Sequence, residues 1–315
     1  MVDRAFPPGR VLTGAASWSD RSLVRDGGWY PRRTMTATER MAFYAARLPV
    51  VEIDSTFRFP PTPDVCRQWA DRTPDGFTIN VVAWSLLTAN SALPDSLWPD
   101  LQTEVRPELQ DRRRLYAHHL NDDAWAECWT RFRHAIEPLV RAGRLGGVML
   151  RYPHWLRPGD TGRALLRRAR QGLPGVPLAA HFANPHWLEG DQCEATLGFL
   201  EDHSLGLVCT DDGGALERQP VVAATAELAV VRFEGCSPGR WDDPEMPWPE
   251  RFAYRYCDDE LSPWVPRLQA LASSASAVHA VFANTWRDDA VAGALRLAAL
   301  LDDPVTVGGL HRSES

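Results

Sequence analysis

The chain of 315 residues is 44% hydrophobic and 24% charged, a composition typical of a globular protein with one or two domains. Its net charge of −7 argues against a protein that wraps duplex DNA, so we do not expect nucleic acid as a partner. Lysine is absent from the sequence, which excludes Schiff-base aldolases, pyridoxal-phosphate enzymes and P-loop proteins because each needs a lysine amine.

The chain has no apolar run of about 18 residues, so we expect no membrane-spanning helix. The first 14 residues lack the apolar core of a signal peptide, and a cytoplasmic location follows as the expectation. The six cysteines form no C-x-x-C pair, which indicates reduced thiols rather than a zinc site or a disulfide framework.

Short apolar runs and helical patterns alternate along most of the chain. The runs predict strands at 11–17, 50–56, 77–83, 146–152, 177–182, 206–211, 228–233 and 277–283. The helical patterns predict helices at 36–47, 63–71, 122–142, 160–171, 191–202, 258–272 and 288–301. Only the segment 212–227, which follows the sixth predicted strand, lacks a helical pattern.

This alternation predicts an α/β fold, a single (β/α)8 TIM-type barrel covering 1–315 with its core at about 11–301. The segments that leave the strand ends are long, at 18–35, 84–121 and 234–257. We expect them to gather on the C-terminal face, where this fold builds its sites. A doubly wound open sheet is the structural alternative.

The stretch VVEIDSTFRFPPTP, residues 50–63, carries carboxylates within a strand-like run. Side chains alternate along a strand, so Glu52, Asp54 and Thr56 are predicted to share one face. The same reasoning turns Arg232 of the seventh strand inward. We therefore predict that Glu52 and Arg232 form an ion pair at the barrel mouth, because either charge alone would be costly to bury.

Polar side chains also stand at the carboxyl ends of the other predicted strands. The catalytic candidates are Glu52, Asp54, Arg232 and Glu234. The ligand-binding candidates are Trp18, Arg151, His181, Asn184, Asn284 and Trp286. The two tryptophans could stack on a ligand or simply pack the loops.

Three interpretations of these polar side chains at the strand ends remain open. Arg151 and Arg232 could bind an anionic or sugar-like ligand, with Glu52 or Asp54 as general acid or base. Glu52, His181, Asp211 and Glu234 could instead hold divalent metals, although no local metal motif is present and we assign no metal ligand. In the third interpretation, Arg232 neutralises Glu52 and Glu234 in a purely structural network.

Several separated motifs resemble the YecE-like family, also called the domain of unknown function 72 family. GAASWS at 14–19 resembles the first-strand motif G-T-S-G-W-S, and VEIDSTF at 51–57 is similar to V-E-I-N-S-T-F. VVRFEG at 230–235 is similar to V-R-F-H-G, with Glu234 in place of histidine. Further matches are WYP at 29–31, WADRTPDGF at 69–77, YRYCDDELSPW at 254–264 and the segment 281–301. The resemblance implies a TIM-type barrel and no established activity.

The departures from the family pattern remove polar groups from the pocket. The K-x-P-R segment and histidine after strand three are replaced by Val82, Trp84, Ser85 and Ala89. A glutamine after strand four becomes Arg151. E-F-R-H-P-S-W at strand five becomes HFANPHW, and one asparagine of a pair on strand eight becomes Ala283. The chain is thus identified as a divergent member, with family-level suggestions of nucleic-acid processing weakened.

The sequence thus predicts a YecE-like barrel whose C-terminal rim binds a small polar or anionic ligand, with or without catalysis. A metal-dependent hydrolase or isomerase of sugar or nucleic-acid substrates is one alternative, and a non-catalytic binding protein is another. The cofactor, the ligand's identity and the oligomeric state do not follow from the sequence.

Overall fold

A computed structural model describes residues 9–212, 219–235 and 245–302. The strands are β1 (Arg10–Ala16), β2 (Val50–Ile53), β3 (Thr78–Val82), β4 (Leu145–Tyr152), β5 (Leu178–Phe182), β6 (Leu205–Asp211), β7 (Leu228–Phe233) and β8 (Ala277–Phe282). The described helices are α1 (Arg21–Arg25), α2 (Ala37–Ala45), α3 (Pro63–Asp71), α4 (Pro99–Gln102), α5 (Asp122–Arg141), α6 (Asp160–Gly172), α7 (Gly190–Asp202), α8 (Asp258–Leu261), α9 (Trp264–Ser274) and α10 (Asp289–Asp302).

The eight strands follow one another in chain order and close into a parallel barrel. This confirms the predicted (β/α)8 TIM-type fold, and the open doubly wound alternative is wrong. Strands such as β2 and β7 are buried along their whole length, as expected for a parallel sheet that is covered on both faces. None of the described helices is long and apolar enough to cross a membrane.

Backbone contacts group the chain into two compact units. The first unit comprises 1–52 and 208–315, and it holds β1, most of β2, the end of β6, β7 and β8. The second unit comprises 53–207 and holds β3, β4, β5 and the start of β6. A single domain over 1–315 stays a prediction, as does the gathering of the long loops on one face.

Several helices start at the signals that the sequence carries. Thr62 caps α3 by accepting a hydrogen bond from the Val65 N–H, and Pro63 occupies the first helical position. Thr36 and Glu39 form a reciprocal capping box on α2, in which each side chain bonds to the other residue's backbone N–H. These local bonds fix where the chain turns from loop to helix.

Alternation along β7 and β8 separates a helix-facing side from an inner side. Phe233 stacks on Phe282 with ring centroids 4.5 Å apart. A Cβ built on Gly293 of α10 would lie 2.6 Å from the Phe282 ring, so these two rings face the helix layer. Arg232 and its register partner Val281 therefore face the opposite side of the strands.

Two elements differ from their predicted extent. β2 stops at Ile53 because Asp54 turns to a helical conformation, and the Thr56 hydroxyl donates to the carbonyl oxygens of Ile53 and Val82 at 2.8 and 2.7 Å. The predicted helix 258–272 is two helices, since Pro263 has no N–H to continue the ladder. The prediction that Asp54 and Thr56 share a strand face with Glu52 is therefore wrong.

Candidate functional site

The predicted ion pair between Glu52 and Arg232 is present in the first unit. The Arg232 Nη1 group donates to Glu52 Oε1, and its Nε group donates to Glu234 Oε1 at 2.9 Å. We call these three residues the Glu–Arg–Glu group. It lies at the carboxyl ends of β2 and β7, where enzymes of this fold place their chemistry.

The two carboxylates of the Glu–Arg–Glu group differ sharply in exposure. The Glu52 side chain is 1% exposed, the Arg232 side chain 10% and the Glu234 side chain 36%. Burial lowers the pKa of Arg232, but the charges of Glu52 and Glu234 outweigh it and raise that pKa above its usual range. The guanidinium therefore stays charged. It is bonded to the buried carboxylate of Glu52 and to the partly exposed carboxylate of Glu234.

A hydrogen-bonded network fixes the backbone that carries Glu234. The Glu234 N–H donates to the Asp211 carbonyl oxygen at 2.9 Å, and the Gly235 N–H donates to the Tyr256 hydroxyl at 2.9 Å. Trp264 Nε1 donates to Asp211 Oδ2 at 2.6 Å. Gly235 has φ +67°, and an added Cβ would lie 2.7 Å from the Tyr254 side chain. Only glycine fits both constraints.

Asn284 follows β8 and is completely buried. Its Nδ2 group donates to the Tyr254 carbonyl oxygen at 2.5 Å, which ties β8 to the segment after β7. Its Oδ1 atom accepts no hydrogen bond from a described residue. A buried acceptor without a donor is uncommon in proteins and is a feature that a bound ligand or water would satisfy.

Backbone strain lies beside Glu52, at the end of β1. Ser17 has φ +86°, which a residue with a side chain rarely adopts, and its N–H donates to the Glu52 carbonyl oxygen at 2.8 Å. Trp18 is buried, and its carbonyl oxygen accepts the Tyr30 hydroxyl. Trp286 is half-buried, with the Arg287 guanidinium 5.4 Å from its ring centroid. Such strain clusters at functional sites because surrounding contacts must hold it in place.

The remaining predicted residues lie in the second unit. Arg151 and His181 are register partners on β4 and β5, so they stand side by side on one face. The Arg151 guanidinium lies 5.8 Å from the Phe57 ring centroid. Asn184 uses both ends of its amide locally, accepting from the His186 N–H at 3.0 Å and donating to the His154 carbonyl oxygen at 2.6 Å. Its visible role is therefore a loop cap.

Sequence reasoning missed the residues that position the Glu–Arg–Glu group. Ser17 was treated as an ordinary strand residue, and no role was assigned to Tyr256 or Trp264. The last two lie in YRYCDDELSPW, a segment whose resemblance to the family was visible. Its aromatic residues are a signal for contact with a strand end, but the sequence does not indicate which strand.

No group of three or more His, Cys, Asp or Glu side chains placed to hold a metal ion is found within 9–212, 219–235 and 245–302. The described cysteines are free thiols, and burial raises the pKa of both Cys66 and Cys128 to about 12. The metal-dependent alternative stays a prediction without an assembled ligand set in these residues.

The closed parallel barrel and the polar strand ends place the chain among the (β/α)8 TIM-type proteins. A family model described as "Protein of unknown function DUF72" matches residues 12–313. The chain belongs to this DUF72 family, which confirms the resemblance read from its motifs.

Comparison with known proteins supports the same fold. The UPF0759 protein YunF of Bacillus subtilis (strain 168) is 24% identical over 298 residues, covering 93% of this chain and 95% of that protein. A crystal structure of a DUF72 family protein from Enterococcus faecalis V583 matches with a TM-score of 0.72 and 20% identity, over 93% of this chain and 96% of that one. A DUF72 family protein from Thermotoga maritima MSB8 gives a TM-score of 0.70 and 20% identity, over 93% and 99%.

Proposed function

We propose that this DUF72 family protein binds a small polar ligand at the carboxyl ends of β2 and β7, through Glu234 and Arg232. The observation that carries the proposal is the gradient of exposure along the Glu–Arg–Glu group, from 1% at Glu52 to 36% at Glu234. One carboxylate holds the guanidinium from within, and the other presents acceptor oxygens to an arriving molecule.

The charge of the group favours a ligand with hydrogen-bond donors. Arg232 is bonded to two carboxylates, so its positive charge is already compensated within the group. The carboxylate oxygens accept hydrogen bonds, so hydroxyl or amine groups find acceptors there, whereas an anion offers no donor. Of the polar and anionic ligands that the sequence allows, we infer a hydroxyl-bearing one such as a sugar or polyol.

A purely structural ion network is the main competing explanation. Burying an ion pair stabilises a fold little, and apolar side chains of similar volume often do as well or better. The position at the strand ends, the strained Ser17 and the acceptor atom of Asn284 all point to function instead. These observations support the proposal, and the experiment below distinguishes the two.

The same arrangement would suit acid–base catalysis. Glu234 could exchange a proton with a bound hydroxyl, because it is the accessible carboxylate and lies against a fixed guanidinium. Glu52 would then position Arg232 rather than act on the ligand. A non-catalytic binding protein would use the same contacts. Chemical turnover of the bound ligand would therefore distinguish an enzyme from a binding protein. We also propose that the protein is cytoplasmic, as the sequence predicts.

Glu137 offers a matched control for a binding experiment. Its Oε1 atom accepts from Arg141 Nε at 2.9 Å and its side chain is 41% exposed, nearly the geometry of Glu234 with Arg232. We would screen monosaccharides and polyols by thermal shift against the wild type, Glu234→Gln and Glu137→Gln. The proposal expects a stabilising compound whose effect is lost in Glu234→Gln and kept in Glu137→Gln.

Glu52→Gln tests the structural explanation in the same screen. We expect it to lower the thermal midpoint while the compound still binds, since Glu234 and Arg232 remain. Equal ligand-induced shifts in the wild type and Glu234→Gln would contradict the proposal. A panel in which no hydroxyl-bearing compound stabilises the wild type would also count against it.

A further inference from the structure

A second polar region lies in the second unit, beyond the ends of β2 and β3. A cavity of about 280 Å³ is lined by Phe57, Arg58, Ser85, Ser91, Ala92, Leu93 and Arg114. We call it the inner arginine cavity. No carboxylate is among its lining residues, so its charge is positive. Its size suits one small chemical group rather than a whole cofactor.

A larger cavity shares Arg114 as a wall. Its volume is about 670 Å³, and it is lined by Leu109, Asp111, Arg112, Arg113, Arg114, Tyr116, His118 and His119. We call it the outer arginine cavity. Tyr116 and His118 stack with ring centroids 5.7 Å apart and planes at 20°, so they offer a flat aromatic surface. Three arginines against one aspartate keep this cavity positive as well.

Backbone pairing holds the loop that carries both cavities. Ala92 and Leu115 exchange two hydrogen bonds of 2.8 and 2.9 Å, which fixes Arg114 beside Ser91 and Leu93. The Arg106 N–H donates to the His119 carbonyl oxygen at 3.0 Å, and Asn90 Nδ2 donates to the Arg151 carbonyl oxygen at 2.8 Å. The cavities are therefore parts of a tied loop, and less ordering is needed on binding.

The arginines around the cavities have no acidic partners among the residues that the structure describes. Arg58, Arg112, Arg113 and Arg114 lie within 4.0 Å of no carboxylate oxygen in the described chain, although Asp111 is a neighbour in sequence. By contrast, other arginines in this unit, such as Arg131, Arg141 and Arg144, are each paired. A local concentration of unpaired guanidinium groups is a typical feature of anion recognition.

Two further observations point to an anion. Ser85 is 2% exposed, lines the inner arginine cavity, and its hydroxyl makes no hydrogen bond with a described residue. A hydroxyl that opens into a cavity can donate a hydrogen bond to a bound anion. Burial, followed by the charges of His118, Arg112 and Arg106, lowers the pKa of His119, so the nearby cations add to the effect of burial.

We propose that the two arginine cavities together bind a small phosphate ester. Its phosphoryl group would lie in the inner cavity between Arg58, Arg114 and the hydroxyls of Ser85 and Ser91. The guanidinium fork matches phosphate oxygens in pairs, and hydroxyls complete the shell. The organic part would extend past Arg114 to the surface of Tyr116 and His118. This site is independent of the Glu–Arg–Glu group and of the ligand proposed there.

Calorimetric titration of the full chain with inorganic phosphate and pyrophosphate tests the proposal. Arg114→Gln removes the cation that both cavities share, and Arg33→Gln removes an exposed arginine of the first unit with the same change in net charge. We expect the wild type to bind pyrophosphate with a dissociation constant of about 1 mM or lower. Arg114→Gln should weaken binding about tenfold, and Arg33→Gln less than about twofold. Ser85→Ala should weaken binding by a smaller factor than Arg114→Gln.

Three results would overturn the proposal. The first is the absence of phosphate and pyrophosphate binding to the wild type. The second is equal weakening in Arg114→Gln and Arg33→Gln, since binding would then reflect only the overall charge. The third is binding of a single-stranded oligonucleotide without binding of pyrophosphate. Arg114→Gln and Arg33→Gln should keep the thermal midpoint of the wild type, since both arginines are exposed, so weaker binding in Arg114→Gln would not reflect unfolding.

Discussion

Arg232 lies near the carboxyl end of β7 and Arg114 lies in the long segment between β3 and β4, and their surroundings are opposite. Arg232 is buried and bonded to two carboxylates, whereas Arg114 is exposed and has no acidic partner among the described residues. The first arrangement is needed wherever a charge leaves water, because an unpaired buried ion is costly. The second is stable without a partner, since water solvates the guanidinium. Pairing at Arg232 is therefore required by burial alone, while the exposed guanidinium of Arg114 stays accessible from solvent.

Removing the two cations should therefore have very different effects on stability. Arg232→Met leaves Glu52 and Glu234 without their cation, and we expect the free energy of unfolding to fall by about 3–5 kcal/mol. Arg114→Gln should leave the thermal midpoint unchanged. Urea denaturation of both variants measures the difference. If the free energy of unfolding of Arg232→Met fell by less than about 1 kcal/mol, the prediction would be wrong, because the buried ion pair would then contribute little to stability.

Acid should weaken the first unit through His279, which faces the same side of β8 as Val281. Burial lowers the pKa of His279 to about 4 from an ordinary value near 6.5. The unfolded state therefore binds more protons between these values, and stability is full above pH 6.5 and lost as the pH falls towards 4. The expected slope is about 1.4 kcal/mol per pH unit.

The difference between wild type and His279→Gln isolates this contribution. In that variant the slope between pH 6.5 and 4 should become shallower, whereas His134→Gln, at an exposed position on α5, should keep the wild-type slope. Identical slopes in wild type and His279→Gln would show that His279 does not titrate as its burial requires.

Alanine substitutions at Gly235 and Gly143 test whether Gly235 fixes the position of Glu234. Gly235 and Gly143 both have positive φ, +67° and +63°, but only Gly235 has a side chain against the position of a new Cβ. Gly143→Ala should lower stability by about 1 kcal/mol through backbone strain alone. Gly235→Ala should lower it by about 1–3 kcal/mol more, because Tyr254 must move.

Ligand binding provides the second measurement on the glycine variants. Displacing Tyr254 would shift the backbone that carries Glu234, so Gly235→Ala should also weaken the ligand found in the hydroxyl screen. Gly143→Ala should leave that binding intact. Comparable losses of stability in the two variants would mean that the segment 245–257 does not constrain Glu234.

The periodicity of apolar residues and the helix-capping residues made much of the fold predictable from the sequence. The strands were found within a few residues because buried β-branched runs are distinctive, and Thr62 with Pro63 marked the start of α3. The end of β2 was not predictable. Thr56 ends it by bonding to Val82, a residue of the next strand, and such a contact is invisible before the chain is folded.

The candidate site was predictable to the same extent. Alternation correctly brought Glu52 to Arg232, since both conclusions depend only on which side of a strand a residue occupies. The prediction that Asp54 shares a strand face with Glu52 was wrong because β2 ends at Ile53, before Asp54. The hydrogen bonds of Tyr256 and Trp264 beside Glu234 come from a later segment of the chain. The periodicity of side chains along a strand does not predict tertiary contacts of this kind.

A double-mutant cycle on Arg232 with each of its carboxylates measures how strongly each ion pair stabilises the fold. Urea denaturation would compare Arg232→Met, Glu52→Gln, Glu234→Gln and the two double variants. We expect a coupling free energy above about 2 kcal/mol between Arg232 and buried Glu52, and below about 1 kcal/mol between Arg232 and the more exposed Glu234. Such a result assigns Glu52 to the fold and leaves Glu234 for a ligand. Equal couplings, or a larger one for Glu234, would contradict the account.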